Sequence, residues 1–511
     1  MKNVARLAAT LSMLTGCGGA SADGAARVAR DLVVAVPGDG YGVGGDTELG
    51  LYPLNATIYE PLVRLSVDFR PEPLLATRWE FRAPNTWRFH LRGGVHFHDG
   101  TAFTATSVRW TMDRLAKRGR SSTTGIGLQS TKVVDDSTVD ITPVFANRRL
   151  PEQLVHPLYS IMAAESDPTR RPIGTGPFRF AAYRHAAELT VARFDQYWAG
   201  AALLRGITFR FIPDPATRVL SLRAGESDVV AEFPRETRDA RVVRSAIGGF
   251  EVLNVTIHGR PPYELGSEHA VRRAIAATVD RSRIARDVWA GAAEPVPSVV
   301  PAAALGQSAS LVRGEAYDPA HARALLDSAG WRVGPDGIRT RRGRRLTLAM
   351  VVGFPNPHIH RPMPELMQSA LHDVGIELRI LQVPDDAAYQ ARITSGEGDL
   401  WAEAGGQNDA NPCFLSHLLF YSGRRLRPSA YARLFAPGPS LDRFVDACRE
   451  ATSRAAVERS AAESERVLVD EAHIVIPLAA TRRVWAVSER VKGFVPHPSA
   501  LSQRWERVSF R

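Results

Sequence analysis

Two imidazoles alternate with apolar residues in GGVHFHDG, Gly93 to Gly100, and a carboxylate follows them directly. His96 and His98 on one strand face, beside Asp99, would be the beginning of a zinc site. A closed site needs four ligands, no further donor has a predictable place next to these two, and Asp99-Gly100 is required as a turn. The stretch therefore reads as the shape of a hairpin. Trp87, Phe89 and Leu91 alternate on one face, Gly93-Gly94 turns the chain, and Val95 and Phe97 resume the apolar side. A second pair, Cys413 and His417, is spaced to share a face if its segment is helical, yet two donors again leave a metal half-held. G-x-S-x-G, H-E-x-x-H, the phosphate-binding G-x-x-x-x-G-K-[ST] and a cysteine quartet are all missing, so neither an enzyme nor a resident cofactor or metal is expected.

Composition narrows the classes further. The 511 residues carry 64 basic side chains and a net charge of +10, with lysine only at Lys2, Lys117, Lys132 and Lys492. The arginines are scattered among acids rather than gathered in an aromatic-laced stripe, which argues against nucleic acid as the partner. At the start, Lys2 and Arg6 precede an apolar run from Leu7 to Leu14 and then Leu14-Thr15-Gly16-Cys17. Charge, apolar length and small residues in that order describe an export signal, and the tetrad resembles a bacterial lipobox in which Cys17 is lipidated. The small, polar GGASADGAAR behind it suits a tether, so residues 1–30 are read as signal and linker of an exported membrane lipoprotein. Later segments fall short of the roughly 18 apolar residues of a spanning helix. Cys413 and Cys448 are compatible with one disulfide or with two buried thiols.

Stepping outward from these residues, strands and helices alternate. DLVVAVPG reads as a strand, and Thr104 as the N-cap of a helix whose stripe is Val108, Met112 and Leu115. GTGPFRF is a tight turn entering a strand. In HAVRRAIAATVDRSRIARDVWAG, helical spacing links Val271, Ile275, Val279, Ile284 and Val288. DPAHARALLDSAGW offers Asp318 as N-cap, Pro319 at the first helical position and Gly330 as stop. RLTLAMVV, ELMQSALHDVG and IELRILQV then read strand, helix, strand, the pattern of an α/β lobe.

These segments, in this order, resemble the family 5 extracellular solute-binding proteins, the peptide and nickel receptors of ABC importers. YEPLVRLSVDFRPEPLLATRWEF, LRGGVHFHDG, IGTGPFRF, DQYW, LRAGESDVV, VRRAIAATVDR, YDPAHARALLDSAGW and DVGIELRI each look like a family counterpart. The resemblance implies a two-lobe, type II periplasmic-binding-protein-like α/β fold. Lobe I would span Asp31 to Gly259, with an extra subdomain near residues 60–185, and be completed by Ile474 to Arg511; lobe II would be Arg260 to His473. It also implies a monomeric receptor whose partners are a small solute, either peptide or metal chelate, and ABC permease subunits.

Dipeptide receptors of the family carry an aspartate after a tryptophan, shortly before an Asp-Pro step. On GDLWAEAGGQNDANP, anchored at Asp399 and Asn411-Pro412, that pattern puts Asn408 at the aspartate and Gly405 at the tryptophan, with Asp409 one residue on. The arginine for a peptide carboxylate, anchored on Pro355 and MPELMQ, falls at Phe354, with Arg361 nearby. Arg120 resembles in position an arginine that contacts a bound chelate, and Trp401 could stack on a ligand or belong to the core. Ligand-binding residues are therefore expected among Asn408, Asp409, Trp401, Arg120 and Phe354. Asp409 has the alternative of capping a turn in NDANP.

Overall fold

Two long antiparallel strands, Arg241–Val255 and Val475–Val487, form the spine of the molecule. The computed structural model describes residues 31–38, 57–117, 127–167, 170–232, 240–289, 292–352, 362–384, 386–423 and 430–511. The first half of the spine, from Arg241, pairs against Val487 and its neighbours, and Val475–Val487 there takes Val229–Ala231 as its other partner. Beyond that come Leu32–Val36, Gly206–Phe211, Glu188–Arg193 and Phe178–Arg184. In the second half, Gly249 to Val255 pairs with Leu400–Gly406, which continues into the parallel strands Thr347–Val352 and Glu377–Gln382. All are members of one 11-stranded sheet, so the two halves are joined through backbone hydrogen bonds as well as through the chain.

Local chemistry explains most elements. Leu32–Val36 is a near-continuous apolar run flanked by two parallel neighbours, as a strand covered on both faces should be. The helix Ala105–Lys117 buries Val108, Met112 and Leu115. It packs on a separate four-stranded sheet of Ala76–Arg82, Thr86–Leu91, Thr138–Pro143 and Leu128–Asp135, the expected extra subdomain. Asp318 caps Pro319–Ser328 by accepting from the His321 N–H at 2.9 Å, and Gly330 ends that turn with φ +83°.

The expected continuous helix from His269 is two helices, His269–Ala277 and Arg281–Asp287. Asp280 starts the second by accepting from the Arg283 N–H, and the Thr278 hydroxyl bonds back to the Ile275 carbonyl, so side chains that compete with the helical backbone break it between apolar positions. The hairpin resumed at Val95 is also less regular than its alternation suggests: among the described residues it makes a single bridge, His96 to Ala102, before the helix begins. Cys413 and Cys448, left open by the sequence, are bonded to one another.

The halves have separate apolar cores. One, including Leu32, Phe209, Trp485 and Trp505, fills lobe I; another, including Val271, Leu348, Trp331 and Leu400, fills lobe II. A third cluster runs from the subdomain, through Leu150 and Tyr159, to Cys413, Phe414 and Val445 of lobe II.

Candidate functional site

Three of the segments behind the resemblance, YEPLV, IGTGPFRF and DQYW, meet at a buried carboxyl, and their chemistry there is structural. Glu60 accepts from the Thr175 hydroxyl at 2.7 Å, the Tyr197 hydroxyl at 2.7 Å and the Trp198 indole at 3.0 Å. Burial pushes this acid up to about 7 against three bonds that favour its charge. Beside it, His98 bonds the Gly176 carbonyl at 3.0 Å through one ring nitrogen and accepts from the Gly174 N–H at 3.3 Å through the other. Both nitrogens are committed to the GTGPF turn, and burial holds the ring down at about 4, in its neutral form. His96 is exposed. The alternating histidines thus serve the fold.

Of the expected ligand residues, Asn408 lies elsewhere, where the end of Leu400–Gly406 meets lobe I. Close approach is made possible by glycine: a Cβ on Gly248 would lie 2.6 Å from the Pro498 Cβ, and one on Gly249 would lie 2.2 Å from the Thr481 Oγ1. The Gln407 N–H donates to the Gly248 carbonyl at 2.9 Å, and Asn408, half-buried, accepts from the Ser499 hydroxyl at 2.8 Å. Ser499 belongs to a rigid corner. His497 accepts from the Ser499 N–H at 3.0 Å, its other nitrogen contacts the Leu65 carbonyl at 3.2 Å, and Gln503 holds the backbone of His497 and Val495. Asn408 therefore connects the end of the lobe II strand to the C-terminal corner of lobe I.

Asp409 and Trp401 sit differently. Asp409 is 1% exposed and accepts from the Asn411 N–H at 2.8 Å, the turn-capping alternative, with the Gln407 amide donating to it at 3.3 Å. Burial, and to a lesser degree the nearby Glu152 charge, raise its carboxyl well above the usual range against the Asn411 N–H, which favours the charged form. Trp401 is fully buried in the core, its indole N–H donating to Thr256 at 2.9 Å, and presents no face for stacking in this conformation. Cys413 is engaged in its disulfide and so provides no thiolate to His417, although the His417 N–H does bond the Cys413 carbonyl in one helical turn. Arg120, Phe354, Arg361 and Cys17 lie outside the described residues.

Sequence reasoning missed the surface facing this turn. The Ala410 N–H donates to the Glu152 carbonyl at 3.0 Å, and the His156 ring lies 6.2 Å from Phe414. On the segments that make this contact, Gln407 Oε1, Gln153 Nε2 and Ser160 Oγ are buried without a hydrogen-bond partner among the described residues. Such atoms are uncommon in a finished core. Burial lowers His156 to about 4 and raises Tyr159, and the charged groups beside them are paired, Arg149 with Glu152 at 2.7 Å and Arg449 with Asp446 at 3.1 Å. Nothing local in the sequence marks Gln153 or Ser160, whose neighbours come from a distant part of the chain. Nearby, Glu403 accepts from Tyr389 at 2.8 Å and from Asn254 at 2.7 Å, fixing the strand before the glycines.

Comparison with known proteins places the chain in a family. Residues 70–426 match the pattern described as bacterial extracellular solute-binding proteins, family 5 middle. The glutathione-binding protein GsiB of Pectobacterium atrosepticum is 25% identical over 93% of both chains, and GsiB of Salmonella typhi is 26% identical over 92% of both. Among solved structures, NikA from Brucella suis in complex with Fe(III)-EDTA has a TM-score of 0.80 at 23% identity, covering 94% of this chain and 100% of that one. DppA from Helicobacter pylori in complex with peptide STSA has a TM-score of 0.77 at 20% identity, covering 94% and 98%. With the two-lobe fold and the matched span in agreement, the chain belongs to the bacterial extracellular solute-binding proteins of family 5, a transport family and not one of enzymes.

Proposed function

We propose that the chain is a lipid-anchored receptor, held outside the membrane through Cys17, that closes on a peptide or peptide-like solute and delivers it to an ABC importer. One observation carries the choice of cargo. Where Gln407–Asn411 meets residues 147–160, buried amide and hydroxyl atoms of Gln407, Gln153 and Ser160 lack a protein partner, while the Arg149 and Glu152 charges are paired with each other. Backbone amides of a peptide suit such atoms, whereas a free ammonium or carboxylate there would be an unpaired charge in a desolvated place. The relatives named glutathione-binding fit a short peptide with modified linkage.

Closure would be absorbed in the spine, within the strands rather than at the expected boundaries near Gly259 and Ile474. The register of the two strands shifts between Arg244 and Ile247 and again between Ile247 and Gly249, and such irregularities are where a sheet bends. A solute that contacts both lobes only in the closed form shifts the population towards it, and a permease reads that form. Asn408 keeps its assignment to the site, and Arg120 and Phe354 keep theirs on the resemblance. The burial of Asp409 and Trp401 supports a role behind the site, positioning the turn and strand.

A thermal-shift screen tests this, since a solute bound only by the folded state raises the melting temperature by mass action. Di- to pentapeptides and glutathione are expected to stabilise the protein, and Asn408→Ala to reduce the shift without changing the ligand-free midpoint. Stabilisation by nickel or iron chelates alone would replace the peptide with a chelate. Cys17→Ser protein recovered in the soluble fraction supports the anchor, and its retention on membranes would remove it.

A further inference from the structure

The two lobes touch at a second place, apart from the spine, and the contact is built reciprocally. From the subdomain, Arg149 sends its guanidinium to the Ala451 carbonyl at 2.9 Å. From lobe II, Arg449 sends its own to the Ala146 carbonyl at 3.4 Å, and its cation lies 5.6 Å from the Phe145 ring. Between them the Arg148 N–H donates to the Arg449 carbonyl at 2.8 Å, and the Ala410 N–H to the Glu152 carbonyl at 3.0 Å. Each arginine is held from behind by an acid of its own lobe, Arg149 by Glu152 at 2.7 Å and Arg449 by Asp446 at 3.1 Å. Arg449 is only 8% exposed.

The lobe II half has two pieces, the turn at Ala410 and the end of the helix Pro439–Glu450, and one covalent bond ties them: Cys413 follows the turn and Cys448 precedes Arg449. Within the turn, Asn411 accepts from the Cys413 N–H at 3.0 Å and so fixes the half of the bridge that the turn carries. The same turn carries Gln407 and Asn408, so the bridge fixes both the clasp and the binding surface on one body.

We propose that Arg149 and Arg449 form a disulfide-braced clasp that sets the balance between closed and open lobes, as positioning residues that need not touch the cargo. The bonds they make go to backbone carbonyls of the opposite lobe, and are charge-assisted, so they are made only when the lobes meet and are lost together when they part. The Cys413–Cys448 bridge keeps the two receiving surfaces in register.

Amide hydrogen exchange on the ligand-free protein tests this independently of any cargo, because Arg148 and Ala410 donate their N–H groups across the lobes. In the wild type these two amides are expected to exchange at a common rate, faster than the Val255 N–H, which bonds Ile474 within the spine, because sub-global opening exposes the first pair and not the last. Arg149→Ala/Arg449→Ala should speed both by at least about tenfold and leave Val255 unchanged, and Cys413→Ser/Cys448→Ser should act in the same direction. Should the double alanine variant fail to fold, Arg449→Lys is read in its place. Arg148 and Ala410 as protected as Val255 in the wild type would make the contact a fixed core, and exchange unmoved by the arginine variants would remove the clasp; either result overturns the proposal.

Discussion

Glu251 shows how one residue in the spine makes stability depend on pH. It lies between Ala404 and Ala479 on the neighbouring strands, one carboxyl oxygen accepting from the Trp289 indole at 2.9 Å and the other buried with no partner. Burial pushes it from 4.5 up to about 8. The folded state therefore keeps a proton that the unfolded chain releases, so this contribution to stability is complete below about pH 4.5 and is lost as the pH rises to about 8. Glu251→Gln retains an acceptor for Trp289 and does not titrate. The variant is expected to overtake the wild type as the pH is raised from 5 to 8, by up to about 4 kcal/mol at the upper end, with Glu60 leaving a smaller slope in both. Parallel stability curves for the two proteins would show that Glu251 does not hold its proton in the fold. At this scale the sequence is informative where chemistry is local: Asp318 and Pro319 announce a helix start by themselves. The raised carboxyl of Asp409 is not local, since its cause is burial, with the Glu152 charge from a distant part of the chain adding to it.

Among elements, the spine owes its closeness to glycine. An added Cβ on Gly249 meets the Thr481 Oγ1 at 2.2 Å, while its next neighbour, the Gly405 carbonyl, is at 3.3 Å. Gly249→Ala should thus destabilise the protein by about 1–3 kcal/mol through overpacking, and Thr481→Ala in the same chain should restore most of the loss by removing the atom in the way. Urea unfolding of the single and double variants checks this, and equal midpoints for the two would place the strain elsewhere. Period-two reasoning finds Thr86–Leu91 because both its faces are regular. It does not find Arg241–Val255, whose register shifts interrupt the alternation and whose Gly248-Gly249 resembles a turn when neighbours are unknown. The helix after His269 fails for a related reason: apolar spacing carries across Asp280 although the backbone there is capped.

The whole molecule presents a mechanical constraint that no segment shows alone. Lobe I and lobe II share one sheet, yet among the described strands only Arg241–Val255 and Val475–Val487 run through both halves. Under the proposed closure, opening bends those two strands near their register shifts and parts the apolar contact of Leu150 and Tyr159 with Phe414. In the described arrangement that contact is buried and the arginines are exchanged across it, which the proposed closure assigns to the closed form. In solution, the ligand-free population should include forms in which these contacts are released, and a cognate solute should draw it back. Small-angle scattering from protein saturated with a stabilising peptide is then expected to match the profile of this structure, and ligand-free protein to show a larger radius of gyration. Because the bend is confined to two strands, far-ultraviolet circular dichroism should be the same in both. Identical scattering with and without a peptide that raises the melting temperature would mean that binding occurs on a rigid body, and the closing of the lobes could no longer be the signal passed to a permease.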